Sequence, residues 1–168
     1  WYHTMLISAS PDGFLTLFFI RDRFVPANLI LAELSETYPR RLHVDLGLKG
    51  KVALVTGASR GIGNRIALAL AAEGADLCIC GRTEETLEAA AEELRKAGGD
   101  VETFVGDITA TEGANAFVAA AKARFGDQIH VLINNVGGSV WSPFAEITDE
   151  EWLHVFNLSF FSAVRVSR

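Results

Sequence analysis

Three glycines, Gly57, Gly61 and Gly63, stand where the β-branched apolar run Val52–Val55 gives way to an alanine-rich stretch of helical spacing. Glycines at such a junction let the backbone turn tightly and approach an anion closely, while the N-terminus of the following helix offers free N–H groups and a positive dipole end. A dinucleotide pyrophosphate suits that geometry. The spacing is Gly-x-x-x-Gly-x-Gly rather than the Gly-x-Gly-x-x-Gly of the common dinucleotide fingerprint, so the turn by itself also admits an ordinary strand-to-helix connection. A second position narrows the ligand. Where the second strand ends, NAD-binding folds place an Asp or Glu against the adenosine ribose hydroxyls, whereas this chain has Gly81 followed by Arg82. No carboxylate there repels a 2′-phosphate, and Arg82, with Arg60 in the glycine turn, can pair with one. The pattern reads as a site for NADP(H) in preference to NAD(H), the alternative being that both arginines are solvated surface residues.

Such groups need strands and helices to hold them. Val52–Val55 is too short for a helix and is bounded by a turn signal, as a strand buried on both faces would be. Ile62, Ile66, Ala69 and Leu70 then recur at helical spacing, and Gly74 closes that helix. Asp76–Cys80 reads as a second buried strand. Thr83 is expected to cap a helix with Glu84 and Glu85 in its first turn and Arg95 and Lys96 in its last, matching both dipole ends. Leu87, Ala90, Ala91 and Leu94 form its inner stripe, and Gly98-Gly99 ends it. A third strand follows over Val101–Val105, then a helix through Phe117, Val118, Ala121 and Phe125 to a stop at Gly126. Ile129–Ile133 is the fourth strand. Thr148-x-x-Glu151 is a capping box opening one last helix through Trp152, Val155, Phe156 and Ser159.

Strands and helices that alternate through short loops require a parallel sheet with right-handed crossovers and helices on both faces, a Rossmann-type doubly wound α/β fold. Its ligands sit beyond the carboxyl ends of the strands where the strand order reverses. That rule singles out Gly57–Gly63, Gly81-Arg82, Asp107 and Asn134–Gly137. Taken singly, Asp107 can be a turn aspartate before a helix, and Asn134-Asn-Val-Gly137 a plain turn. Asn157 falls inside the last helix, where asparagine has poor propensity and can disturb the hydrogen-bond ladder by bonding to backbone.

Composition bounds the function. The 168 residues suit one domain with a real core. A net charge of -6, with no lysine- or arginine-rich block, argues against nucleic acid or a membrane surface as partner and for small-molecule chemistry. Cys78 and Cys80 lie two apart on one strand, so they share a face and read as buried small hydrophobes in a reducing compartment, with a cytoplasmic location expected. No apolar run approaches the ~20 residues needed to cross a bilayer, and the one near the N-terminus, Phe14–Ile20, lacks the basic leader and cleavage site of a signal peptide.

From about Leu48 to Arg168 the motifs resemble, in order and approximate spacing, those of the short-chain dehydrogenase/reductase family. Thr56-Gly-Ala-Ser-Arg-Gly-Ile-Gly63 is similar to its cofactor turn, which implies cofactor contacts at Gly57, Ser59, Arg60, Gly61, Ile62 and Gly63. Asp107 resembles the family aspartate that accepts from the adenine amino group, with Ile108 lining the same pocket. Asn134-Asn-Val-Gly137 resembles the family's Asn-Asn-Ala-Gly, in which the asparagines tie the strand end to its neighbours and the glycine lets the cofactor ribose lie close; Val136 replaces the alanine. Asn157 matches a catalytic asparagine that acts with a serine, a tyrosine and a lysine, holding a water that links to the lysine. The resemblance implies hydride transfer between NADP(H) and a carbonyl or alcohol, and a homodimer or homotetramer at full length.

The resemblance has edges. The proton donor of the family is a Tyr-x-x-x-Lys pair, the lysine lowering the tyrosine pKa. This chain has only Tyr2 and Tyr38, no lysine after Lys122, and serines 159, 162 and 167 too early to match the catalytic serine. The chain is therefore expected to be the cofactor half of a reductase, truncated after the fourth strand and its helix and inactive alone, or else a non-catalytic dinucleotide-binding module. Residues 1–44 open on Trp1 and carry no family motif. They are expected to be a non-family extension of the kind an over-extended reading frame or a fragment produces, with 45–168 the N-terminal part of an NADP-binding Rossmann domain. Within the extension Pro11-Asp12-Gly13 signals a turn, Pro26 to Tyr38 a short helix, and His3 and His43 have no partners at metal-ligand spacing.

Overall fold

The computed structural model describes residues 45–168 and, before them, the backbone of two short strands. The chain divides into two compact units, Trp1–Val44 and Asp45–Arg168. In the first, β1 (Thr4–Ala9) and β2 (Leu15–Ile20) pair antiparallel with Thr4 opposite Ile20. The turn expected at Pro11–Gly13, the helix expected over Pro26–Tyr38, and His3 and His43 lie outside the described residues.

The second unit is built on four parallel strands, β3 (Val52–Val55), β4 (Asp76–Gly81), β5 (Val101–Val105) and β6 (Val131–Ile133), in the order β5-β4-β3-β6. The chain moves outward from β3 to β5, then returns to lay β6 on the other side of β3. The strand order therefore reverses between β3 and β6. Alternation along the strands divides the core in two. Ala53, Val55, Leu77 and Ile79 pack on one face against Ala67 and Ala71 of α1 (Gly61–Ala72) and Leu87, Ala91 and Leu94 of α2 (Glu84–Ala97). Val52, Leu54, Cys78 and Cys80 pack on the other against Ala114, Phe117 and Ala121 of α3 (Thr111–Phe125) and against Val166. Helices on both faces of a parallel sheet make this the doubly wound α/β fold read from the sequence. Cys78 and Cys80 share a face, and burial pushes their thiols up, to about 12 and about 11 respectively.

The helix read from the spacing of Ile62, Ile66, Ala69 and Leu70 is α1, and its buried row is Gly63, Ala67 and Ala71, small residues that let the helix lie close on the sheet, while Ile62 is 75% exposed. Three local expectations are corrected. Thr83 occupies the N-cap of α2 but its side chain makes no capping bond; its carbonyl accepts from Leu87 N at 3.1 Å and from Thr86 Oγ1 at 3.1 Å. The strand β6 begins at Val131 rather than Ile129. There His130 N donates to Val52 O at 2.9 Å while its imidazole Nδ1 accepts from Val52 N at 3.0 Å, so a side chain takes the place of the next ladder carbonyl. The last helix is not continuous: α4 (Asp149–Phe156) passes into a π-helical turn, Asn157–Phe161, before α5 (Ser162–Ser167). Its start is as read, with Glu151 N donating to Thr148 Oγ1 at 3.3 Å and Thr148 N to Glu151 Oε2 at 2.9 Å.

Candidate functional site

The segments that leave the carboxyl ends of all four strands converge on a cleft of about 310 Å³. Strand order gives it a direction: Asp107 after β5, Arg82 after β4, the glycine turn after β3, and Asn135 to Gly137 after β6. Gly57 and Gly61 hold φ of 66° and 63°, the left-handed region glycine enters without strain. Gly63 serves differently. A Cβ there would overlap the Gly57 carbonyl and stand 2.5 Å from Asn135 Nδ2, so the first turn of α1 is drawn against the loop it follows.

One buried hydroxyl organises this end of the sheet. Thr56 Oγ1 donates to Ile133 O at 3.2 Å and accepts from the backbone N–H groups of Asn135 and Val136 at 2.9 and 3.1 Å. Asn135 answers with Nδ2, which donates to Thr56 O at 3.0 Å and Gly57 O at 3.1 Å. The ends of β3 and β6 are thus tied where the strand order reverses. On the other flank Ala58 N donates to Cys80 O at 3.1 Å and Gly106 N to Gly81 O at 2.9 Å. A Cβ on Gly81 would stand 3.3 Å from Leu87 Cδ1 and 3.4 Å from Ser59 Cβ, so a larger residue there would press on the loop carrying Arg60.

The cleft has an electrostatic polarity of its own. Arg60, the extended residue before α1, and Arg82 line it together, and neither holds a salt bridge among the described residues. Asp107 Oδ1 accepts from Thr109 N at 2.9 Å, and these Thr109 hydrogen bonds, with the nearby Arg82 charge, hold its carboxyl below the usual range. A charged acceptor and the Arg82 guanidinium therefore sit at the β4–β5 side, with Arg60, the glycine turn and a helix N-terminus beside them. The described residues contain no cluster suited to a metal ion, and no described helix is long and apolar enough to cross a membrane.

The structure brings Gly57, Ser59, Arg60, Arg82, Asp107, Ile108, Val136 and Gly137 to this cleft. Five candidate residues lie elsewhere. Gly61 and Ile62 line a larger groove of about 900 Å³ between α1 and α2, whose floor of Ile66, Ala69, Ala89 and Ala90 lacks the convergence of strand ends. Gly63 sits behind the turn. Asn134 is turned away, its Nδ2 donating to Ser167 Oγ at 3.1 Å. Asn157 is in the π-turn, its Oδ1 accepting from Arg165 Nη1 at 2.8 Å rather than bonding to backbone. Thr56 and Leu158 were not among the candidates. A threonine at a strand end before glycine was a usable signal for the first. Leu158, which lines the cleft, carried none, because its reach depends on the π-turn.

A sequence profile of the short chain dehydrogenase family matches residues 51–168. The uncharacterized oxidoreductase YvrD of Bacillus subtilis is 40% identical over 125 residues, 74% of this chain and 46% of YvrD. The crystal structure of L-sorbose reductase from Gluconobacter frateurii, complexed with NADPH and L-sorbose, superposes with a TM-score of 0.71 at 36% identity, covering 74% of this chain and 48% of that one. An NADH-dependent reductase, A1-R′, complexed with NAD, superposes with a TM-score of 0.68 at 36% identity, covering 74% of this chain and 52% of that one. The chain spans about half the length of these relatives. With a profile match from the first buried strand to the last helix, and a fold that superposes over the same stretch, the chain belongs to the short chain dehydrogenase family.

Proposed function

We propose that the chain forms the cofactor half of an NADP(H)-dependent oxidoreductase that moves a hydride between NADP(H) and a small carbonyl or alcohol. The observation that carries the choice of cofactor is the end of β4, where Gly81 and Arg82 stand in place of an acidic residue and Arg60 lines the same cleft. The relatives do not decide it, since one is complexed with NADPH and another with NAD. The residues present fit a phosphorylated dinucleotide. Arg60 and Arg82 would pair with a 2′-phosphate. The glycine turn and the N-terminus of α1 would face the pyrophosphate, Asp107 would accept from the adenine amino group beside Ile108, and Val136 and Gly137 would flank the ribose at the β6 end. When bound, the nicotinamide would supply or accept the hydride, the carbonyl carbon gaining it as the oxygen gains a proton.

Asn157 is proposed to keep its family role beside the proton-transfer groups. Those groups are not in this chain, whose tyrosines are Tyr2 and Tyr38, so the 168 residues by themselves are expected to be inactive. A second reading is a dinucleotide-binding module without catalysis. NADPH oxidation by a chain extended to include a Tyr-x-x-x-Lys pair separates the two. Cytoplasmic location, a full-length homodimer or homotetramer, and the exclusion of residues 1–44 from the enzyme unit complete the proposal. The cofactor assignment is tested by titrating NADPH and NADH: Arg82→Ala should cost about 1.5 to 3 kcal/mol of NADPH binding, the worth of a charged hydrogen bond, and leave NADH nearly unchanged. Equal losses for both would overturn it.

A further inference from the structure

The π-helical turn has a use in the cleft that rests on the dinucleotide reading above. A turn closed from i to i+5 holds more residues than an α-turn, so neighbouring side chains fan out less. Leu158 and Ser159 consequently both face the Gly137-Gly138 backbone. Ser159 Oγ donates to Gly138 O at 3.2 Å and accepts from Gly138 N at 3.2 Å, gripping one residue by both of its backbone groups. The fit is close: a Cβ on Gly138 would stand 2.8 Å from Leu158 Cδ2, and one on Gly137 3.4 Å from Ser159 Oγ. Leu158 and Gly137 themselves line the cleft at its β6 end, across the sheet from Arg82 and Asp107.

The turn is also fastened from behind. Ser162 N donates to Asn157 O, the i to i+5 bond, and the buried Ser162 hydroxyl donates to Leu158 O at 2.6 Å. Arg165 donates to Asn157 Oδ1 at 2.8 Å and lies over the Phe161 ring at 5.6 Å. A π-turn held at three points is a fixed platform, and functional sites are where such turns are frequent.

We infer that Ser159 is a positioning residue: it holds the Gly137-Gly138 backbone against the π-turn and so sets the width of the cleft at the end away from the arginines, where the nicotinamide half of a dinucleotide would lie. The selectivity of its effect tests this. On the 168-residue chain, binding of NADPH is compared by calorimetry with binding of adenosine 2′,5′-bisphosphate, which carries the adenosine and its 2′-phosphate but no nicotinamide. Ser159→Ala should weaken NADPH about fivefold, the worth of roughly one hydrogen bond, and leave the bisphosphate unchanged. Ser159→Thr, which keeps the hydroxyl, should restore NADPH binding. Equal weakening of both ligands would overturn the inference by showing a general loosening of the fold, and so would NADPH affinity that Ser159→Ala does not alter. An unsubstituted chain that binds neither ligand would overturn the cofactor reading itself, and the inference with it.

Discussion

Replacing Thr56 by valine removes one oxygen from the place where β3 and β6 are tied, and the structure allows the cost to be worked out. The residue is 1% exposed, and valine fills nearly the same volume. The Ile133 carbonyl loses the hydroxyl but keeps Thr56 N at 3.0 Å, so it is still satisfied. The backbone N–H groups of Asn135 and Val136 lose their acceptor. A buried donor left unpaired costs about 1 to 3 kcal/mol. Two such donors, only partly shielded from water, set against roughly 1 kcal/mol gained by the newly buried methyl, leave a net loss of about 1 to 4 kcal/mol. That is a large share of the ~5 to 15 kcal/mol that holds a domain together. Urea unfolding followed by circular dichroism measures it directly. Thr56→Ser is the control, keeping every hydrogen bond and losing only a buried methyl, about 1 kcal/mol. A valine variant as stable as the unsubstituted chain would refute the assignment of Thr56 as the tie.

Further outcomes follow from packing and burial. Gly63→Ala is expected to push α1 off the turn, because its Cβ would meet the Gly57 carbonyl and Asn135 Nδ2; a melting temperature and NADPH affinity both equal to those of the unsubstituted chain would contradict the close approach. Cys78 and Cys80, with thiols pushed up to about 12 and about 11, should resist a thiol reagent at pH 8 in the folded chain and react at once in denaturant. The sign for stability follows: the unfolded thiols ionise from about pH 9, the ordinary value, and the folded ones do not, so burial of these groups makes stability fall as pH rises from about 9 toward 12. Rapid labelling of either cysteine under native conditions would count against both statements.

The sheet and most of its helices were legible because their signals are local and strong. Leu87, Ala90, Ala91 and Leu94 show a helical period, and β3 and β4 are short apolar runs cut off by glycine, so element type and inward face follow together. The inner row of α1 was not legible in the same way. Glycine and alanine carry little apolar signal, while the large side chain that does, Ile62, is the one left in water. Two adjacent asparagines show a different limit. Asn134 and Asn135 are chemically identical, yet consecutive residues leaving a strand point to opposite sides, and only the second reaches the glycine turn. At Asn157 the sequence marked a poorly suited residue in a helix but not the consequence, since a π-turn is fixed by bonds from Ser162 and Arg165 that lie beyond it in the chain.

The tie between Thr56 and Asn135 also bears on the order in which the molecule acquires its shape. β3 pairs with β4 at a separation of 24 residues, Val52 facing Asp76, whereas Thr56 and Asn135 are 79 apart. Closing the longer loop carries the greater entropic cost, and contacts remote in sequence are the slow ones to form. During synthesis from the N-terminus the glycine turn would emerge long before the asparagine that braces it. A nascent chain that stops short of residue 135 can build the β3–β4 pair and still have no formed cleft, so ligand binding, rather than secondary structure, is the signal that would report completion of this half of the molecule.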